Sequence, residues 1–279
     1  MIELGKVQTL TVVKKVEFGV YLADEGVQSQ EERVLLPVKQ APEGADIGTQ
    51  IEVFIYRDSK DRLIATTNRP KLVLGGVAKL RVAQVGKIGV FLDWGLEKDL
   101  LLPYREQTKR VGEGEECLVA LYIDKSNRLC ATMKVYPYLQ QDSPYQKDER
   151  VQGTVYEISD NFGAFVAVDD IYSGLIPQKE LYGDVSVGMV VAARVTGVKE
   201  DGKLDLSIRE KAYLQIEQDA EKILNLIDSY EGVLPFTDKA SPETIKRETK
   251  MSKNEFKRAV GHLLKNGKIS IEEKVIRKL

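Results

Sequence analysis

The chain has 279 residues, 43% hydrophobic and 30% charged, with 9 prolines, a balance that argues against extensive disorder and supports packed cores. No apolar run approaches the roughly 18 residues needed to cross a bilayer, and Met1-Ile2-Glu3-Leu4-Gly5-Lys6 lacks the basic, apolar, small-residue order of a secretion signal, so a cytoplasmic address away from membranes is expected. The net charge of −2 weighs against a uniformly basic surface, and a single histidine excludes His-based metal clusters and catalytic triads.

The chain opens on strand-like alternation and reaches Gly19-Val20-Tyr21-Leu22, which returns as Gly89-Val90-Phe91-Leu92 and Gly163-Ala164-Phe165-Val166, 70 and then 74 residues further on. Leu35-Leu36-Pro37, Leu101-Leu102-Pro103 and Leu175-Ile176-Pro177 follow in the same order. Each unit also closes alike, on Arg62-Leu63-Ile64-Ala65-Thr66, Arg128-Leu129-Cys130-Ala131-Thr132 and Lys203-Leu204-Asp205-Leu206-Ser207. Repetition at this period means tandem modules. Short segments rich in Val, Ile and Tyr, bounded by Gly, Asp and Asn, predict about five strands per unit and a small OB-type barrel. The units are placed at residues 1–68, 71–135 and 149–210. Cys117 and Cys130 both fall in strands of the second unit. With no partner ligands nearby they read as buried core thiols rather than a zinc site, and no cofactor is expected.

Residues 136–148 contain Pro137 and Pro144 with little periodicity. They read as a semi-extended linker that allows relative motion of the units on either side. At Glu210 the spacing turns helical, and residues 211–279 form a last module. Ile216, Ala220, Ile223, Leu224 and Ile227 make one apolar face. Ser241 and Pro242 start a second helix. Ser252-Lys253-Asn254-Glu255 is a capping box for a third, which is expected to bury Phe256, Ala259, Val260, Leu263 and Leu264 and to stop at Gly267. A hairpin of Ile269-Ser270-Ile271 and Val275-Ile276-Arg277 completes a winged helix. The fold class is therefore mainly β with a C-terminal α+β module: three tandem five-stranded barrels plus a winged helix.

The order Gly153-x-Val155, Asn161-Phe162-Gly163-Ala164-Phe165-Val166, Gly174-Leu175-Ile176-Pro177, Glu180-Leu181, Val187-Gly188, Leu204-x-Leu206-Ser207 resembles the RNA-binding S1 domain. Three such units with a C-terminal winged helix resemble the conserved virulence factor B family of bacterial RNA-binding proteins over nearly the whole length. The resemblance implies that Phe162 and Phe165 are exposed and stack on bases. The S1 pattern often carries a histidine where this chain has Pro177.

In a regular strand, positions three apart point to opposite faces, so Phe162 and Phe165 can share a face only if the backbone deviates between them. Gly163 allows that deviation. Arg194 alternates out of phase with Val191, Ala193 and Val195, and together with Lys199, Lys203 and Arg209 is a candidate phosphate contact. Weaker candidates are Phe18 with Tyr21 in the first unit, and Phe91 in the second, where Ile88 cannot stack as an aromatic would. The first two barrels therefore read as spacers or protein contacts, with Trp94 as a partly buried anchor. On the third helix of the last module, Arg258, His262 and Lys265 line up with Lys253 and Lys257 in a cationic ridge. From Lys239 onward there are 12 Lys and Arg against 5 Asp and Glu, while the rest of the chain carries 38 acidic and 29 basic residues. That asymmetry marks where a polyanion would touch.

No phosphate-binding loop, nucleophile elbow, zinc-protease or dinucleotide motif is present, which argues against an enzyme. The expected function is non-catalytic binding of single-stranded RNA, on the ribosome or on messenger RNA, in post-transcriptional gene regulation. The rivals are a winged-helix DNA-binding regulator and a protein-binding scaffold.

Overall fold

The structure is a computed structural model that describes residues 2–24, 33–181, 184–209 and 212–279; Glu210, where the helical spacing was expected to begin, lies outside them. Two compact units are present, Met1–Ile208 and Arg209–Leu279.

The first unit is built from one motif used three times. Barrel 1 comprises β1 (Val7–Val16), β2 (Gly19–Ala23), β3 (Val34–Pro37), β4 (Gln50–Arg57) and β5 (Leu63–Thr66). These close in the order β1-β2-β3-β5-β4. Barrel 2 uses β6 (Val77–Val85), β7 (Gly89–Asp93), β8 (Leu100–Pro103), β9 (Glu116–Ile123) and β10 (Leu129–Thr132) in the equivalent order, its outer strands β8 and β10 lying side by side. Barrel 3, closed like the first, comprises β11 (Arg150–Ser159), β12 (Gly163–Val168), β13 (Tyr172–Pro177), β14 (Val190–Val198) and β15 (Leu204–Ser207).

The repeated residues have repeated physical tasks. Gly19, Gly89 and Gly163 stand opposite Pro37, Pro103 and Pro177, where a Cβ would collide with the carbonyl oxygen of Leu36, Leu102 or Ile176. Only glycine lets the two strands approach this closely. The long first strand of each barrel carries one register shift, at Val12/Lys14, Val82/Gln84 and Val155/Glu157, the bend that lets five strands curl. The closing hydroxyls of barrels 2 and 3 are latches. Thr132 donates to Glu106 at 2.9 Å and Ser207 to Glu180 at 2.8 Å. In barrel 1 the Thr67 backbone N–H donates to the Gln40 side chain at 3.2 Å.

Alternating residues fill each barrel, for example Leu10, Val12, Leu22 and Leu36 in the first and Val155, Val166, Ile176 and Leu206 in the third. Barrels 1 and 2 share a cluster in which Phe54 and Tyr56 pack beside Trp94. Trp94 is only 3% exposed, meets Phe54 edge-on at 5.7 Å between ring centres and donates its indole N–H to the Lys98 carbonyl at 2.7 Å. The tryptophan is therefore an anchor, more deeply buried than its loop position suggested.

The segment expected to be a semi-extended linker is partly built into the fold. Tyr136–Tyr138 forms a 3₁₀ turn whose flanking Val135 and Leu139 are buried with Leu118 and Ala120 of barrel 2 and Tyr156 and Ala167 of barrel 3. Gln140 bridges to barrel 3, its N–H donating to Ile171 at 2.8 Å and its carbonyl accepting from Ser173 at 2.9 Å. Val135 and Leu139 thus pack against both barrel 2 and barrel 3.

The second unit comprises α1 (Ala212–Ser229), β16 (Val233–Leu234), α2 (Pro242–Thr249), α3 (Lys253–Lys265), β17 (Ile269–Ile271) and β18 (Ile276–Lys278). Ser241 caps α2 through the Thr244 N–H, and the Ser252/Glu255 capping box of α3 forms in both directions. α3 ends at Asn266, followed by Gly267 with φ +65°. Two expectations need correction. Leu264 is 46% exposed, because the buried stripe of Phe256, Ala259, Val260 and Leu263 already fills the contact. The wing has a third strand, β16, paired to β18, that its two-residue length hid from the sequence.

Candidate nucleic-acid interface

At the tip between β11 and β12 the chain must turn sharply into a close strand pair, and Gly163 takes φ +112° to do so. That geometry places Phe162 outside the strand, 62% exposed, with its carbonyl accepting from the Gln178 N–H at 3.1 Å. Along β12, Ala164, Val166 and Val168 enter the core while Phe165 stays half-buried on the outer face. The two rings lie 6.5 Å apart, tilted by 55°. Neither belongs to the barrel core, so the deviation expected at Gly163 is present.

Phe165 is not free on all sides. The register shift in β11 falls at Tyr156, whose ring lies 6.2 Å from that of Phe165. Both pack against the cluster joining barrels 2 and 3. The platform is thus one open ring, Phe162, and one supported ring, Phe165. Sequence reasoning missed Tyr156, because a bulge residue breaks the alternation used to find it.

The cations expected beside this platform are mostly engaged elsewhere. Arg194 donates to Asp148 at 2.9 Å and pairs with Arg150 at the start of β11, whereas Phe165 pairs with Glu157 seven residues along. At about 3.3 Å per residue, that places it roughly 20 Å along the strand from the phenylalanines. Lys199 lies 3.5 Å from Asp205 and Lys203 lies 2.8 Å from Asp201. The hydrogen bond from Lys203 holds the Asp201 carboxyl below its ordinary value. Arg209 is exposed just after β15. A cation that the reading missed is Lys179, exposed in the turn Gln178–Glu180 that hydrogen-bonds Phe162.

In the winged helix, Lys257, Arg258 and Lys265 are exposed along α3 and make no ion pair among the described residues. Lys253 leaves the ridge. It is half-buried and donates to the Ala240 carbonyl at 3.0 Å, tying α3 to the start of α2. His262 is half-buried and hydrogen-bonded through Nε2 to the Asn266 side chain at 2.9 Å. The open ridge therefore consists of Lys257, Arg258 and Lys265.

The first two barrels repeat the platform position. Phe18 is 57% and Ile88 65% exposed, with Tyr21 and Phe91 half-buried behind them. Phe91 lines an open pocket of about 170 Å³ bounded also by Tyr56, Arg57, Trp94 and Arg128. Among the described residues no group of His, Cys, Asp and Glu is placed to hold a metal ion, and no helix is long and apolar enough to cross a membrane.

Family models match the chain in four stretches. Residues 4–68 and 74–134 match the S1 domain, residues 137–210 the second domain of virulence regulatory factor CvfB, and residues 221–277 the CvfB-like winged helix domain. The chain is 32% identical to the uncharacterized protein YitL of Bacillus subtilis strain 168, over 95% of this chain and 90% of that one. It is 31% identical to conserved virulence factor B of Staphylococcus saprophyticus, over 81% and 78% of the two chains. A crystal structure of a multidomain protein with nucleic acid binding domains from Streptococcus pneumoniae TIGR4 is similar at a TM-score of 0.50 and 25% identity, covering 99% of this chain and 98% of that one.

Proposed function

The chain belongs to the conserved virulence factor B family, and from that membership we propose that it binds single-stranded RNA without catalysis, in post-transcriptional gene regulation in the cytoplasm. The third barrel stacks unpaired bases on Phe162 and Phe165, and the winged helix grips phosphates with Lys257, Arg258 and Lys265. The single observation that carries this reading is Phe162. A 62% exposed phenylalanine keeps most of its apolar surface in water, on a turn that the glycine behind it fixes in place. A nucleobase laid on such a ring contributes about 1–3 kcal/mol, and any base can do so.

A ring at a turn reaches bases that are already unpaired, because bases in a duplex are covered by their neighbours. The barrel supplies stacking, and the winged helix, with its surplus of basic residues, supplies the electrostatic attraction that phosphate demands. Two modest sites on one chain reinforce each other when one strand spans both. Ribosomal and messenger RNA both offer such strands. The choice of RNA over DNA rests on the S1 character of the barrels.

Filter binding of single-stranded RNA, single-stranded DNA and duplex DNA at two salt concentrations tests the reading. Preference for single-stranded RNA is expected. Preference for duplex DNA, sensitive to Arg258→Ala but not to Phe162→Ala, would establish the regulator instead. Absence of salt-dependent binding to any of the three would leave the scaffold.

A further inference from the structure

The three barrels offer the same platform position, so their differences can be compared residue by residue. The turn residue is Phe18, Ile88 or Phe162, and its carbonyl accepts from Val38, Tyr104 or Gln178 at 3.0, 3.2 and 3.1 Å. The half-buried ring behind it is Tyr21, Phe91 or Phe165. Its directly opposed neighbour across the first strand pair is Lys14, Gln84 or Glu157, and directly opposed residues share a face. The second residue after the proline is Lys39, Arg105 or Lys179, in a plain turn in barrel 1 and in a 3₁₀ turn in barrels 2 and 3, and the next residue is Gln40, Glu106 or Glu180.

Barrel 2 lacks the open aromatic. Barrel 3 has both rings, but Glu157 stands beside Phe165, Asp160 lies in the turn and Glu180 follows Lys179. A phosphodiester passing there meets carboxylates. In barrel 1 the same places hold Lys14 beside Tyr21, Lys39 in the turn after Pro37 and the neutral Gln40, with Glu17 as the acid of the tip. Lys14 and Lys39 are exposed and make no ion pair among the described residues, while the neighbouring Lys15 is held by Asp46 at 2.6 Å. Two open cations flank two aromatic rings, which is what a single strand requires: a π face for the base and positive charge for the backbone.

We infer that barrel 1 carries a second single-strand nucleic-acid site, with Phe18 and Tyr21 as the stacking faces and Lys14 and Lys39 as the phosphate contacts, and that this site gives the barrel array its salt-dependent grip. Barrel 3 then contributes stacking with little electrostatic attraction. The first barrel becomes a binder rather than the spacer that its sequence suggested. The inference rests on the single-strand reading above, and the test separates the two.

The full chain is titrated with a uridine oligoribonucleotide over a range of salt, as wild type, Phe18→Ala, Lys14→Ala with Lys39→Ala, and Phe162→Ala. All four positions are exposed, so the fold is not at stake. Phe18→Ala is expected to weaken binding by about fivefold or more. The double lysine variant should flatten the slope of log affinity against log salt by about 1.4, at roughly 0.7 per lost phosphate contact on a single strand. Phe162→Ala should weaken binding at unchanged slope. If the barrel 1 variants match wild type in affinity and slope while Phe162→Ala is impaired, the barrel 1 site is refuted and the third-barrel reading stands. If wild type itself does not bind, both fall. Ultraviolet cross-linking of the oligomer gives a second readout: a uridine adduct on the peptide spanning Phe18 and Tyr21 supports the site, and adducts confined to other peptides overturn it.

Discussion

Replacing Gly163 with alanine tests how the platform is made. The residue sits at φ +112°, a region that side chains avoid at a cost of about 1–3 kcal/mol. The new Cβ would also collide with the Ile176 carbonyl oxygen and come within 2.6 Å of the Gln178 nitrogen. Both are backbone atoms that cannot swing away. Relief requires the β12–β13 pair to part at its end, losing the Phe162–Gln178 hydrogen bond as well, at about 1 kcal/mol. Together these give a loss of about 3 kcal/mol or more, which for a unit of this size lowers the melting temperature by roughly 6–12 °C. The assay is thermal unfolding followed by circular dichroism, with RNA affinity measured on the folded fraction, and affinity should fall because Phe162 loses its fixed position. The contrasting substitution is Gly261→Ala on α3, where nothing lies within 4 Å of the new Cβ; there alanine should stabilise the winged helix by about 0.5–1 kcal/mol. A Gly163→Ala protein with unaltered melting temperature and affinity would refute the claim that this glycine sets the turn.

Other consequences follow from the same contacts. Trp94→Ala removes the ring shared by barrels 1 and 2 and should cost about 3–5 kcal/mol, read as a lower urea midpoint; a loss under 1 kcal/mol would mean the two barrels do not depend on it. Burial pushes the thiols of Cys117 and Cys130 up to about 11, so at about pH 8 they should resist alkylation until the chain unfolds, and rapid modification of the native protein would contradict their burial. Because those folded values lie above the ordinary 9.0, the contribution of the neutral thiols to stability is complete below about pH 9 and declines as pH rises towards 11. Replacing both cysteines with alanine should therefore reduce that alkaline loss. Lys253→Ala should destabilise the winged helix modestly, by about 1 kcal/mol for its hydrogen bond to Ala240, whereas Lys257→Ala should leave stability unchanged and weaken RNA binding, as calorimetry and filter binding respectively would reveal.

The barrels were legible because their signals are local and obligatory. A glycine that must sit under a carbonyl and a proline opposite it recur in all three units, and a hydroxyl latches the last strand of the second and third. The winged helix was legible through Ser241, Ser252 and Gly267, whose capping tasks act within a few residues. What the sequence hid depends on partners far along the chain. Arg194 was correctly aimed away from the core, yet its partner Asp148 lies 46 residues earlier, and no pattern around Arg194 announces that pairing. Lys253 looked like part of a cationic ridge until tertiary packing turned it to Ala240. Leu264 fits helical spacing, but the neighbouring stripe had already filled the available contact. The segment around Pro137 looked like a semi-extended linker because Val135 and Leu139 are too few to show a period, although both are buried. The difference between Lys14 and Glu157 was visible as letters, but only the strand register shows that they occupy the same place beside an aromatic ring.

The most direct measurement is the affinity of the full chain for single-stranded RNA, at fixed salt, before and after Phe162→Ala with Phe165→Ala. Removing both rings should weaken binding by tens of fold, on the scale of about 1–3 kcal/mol per stacked base, with the barrel still folded by circular dichroism. Undiminished affinity in a folded double variant would contradict base stacking on the third barrel.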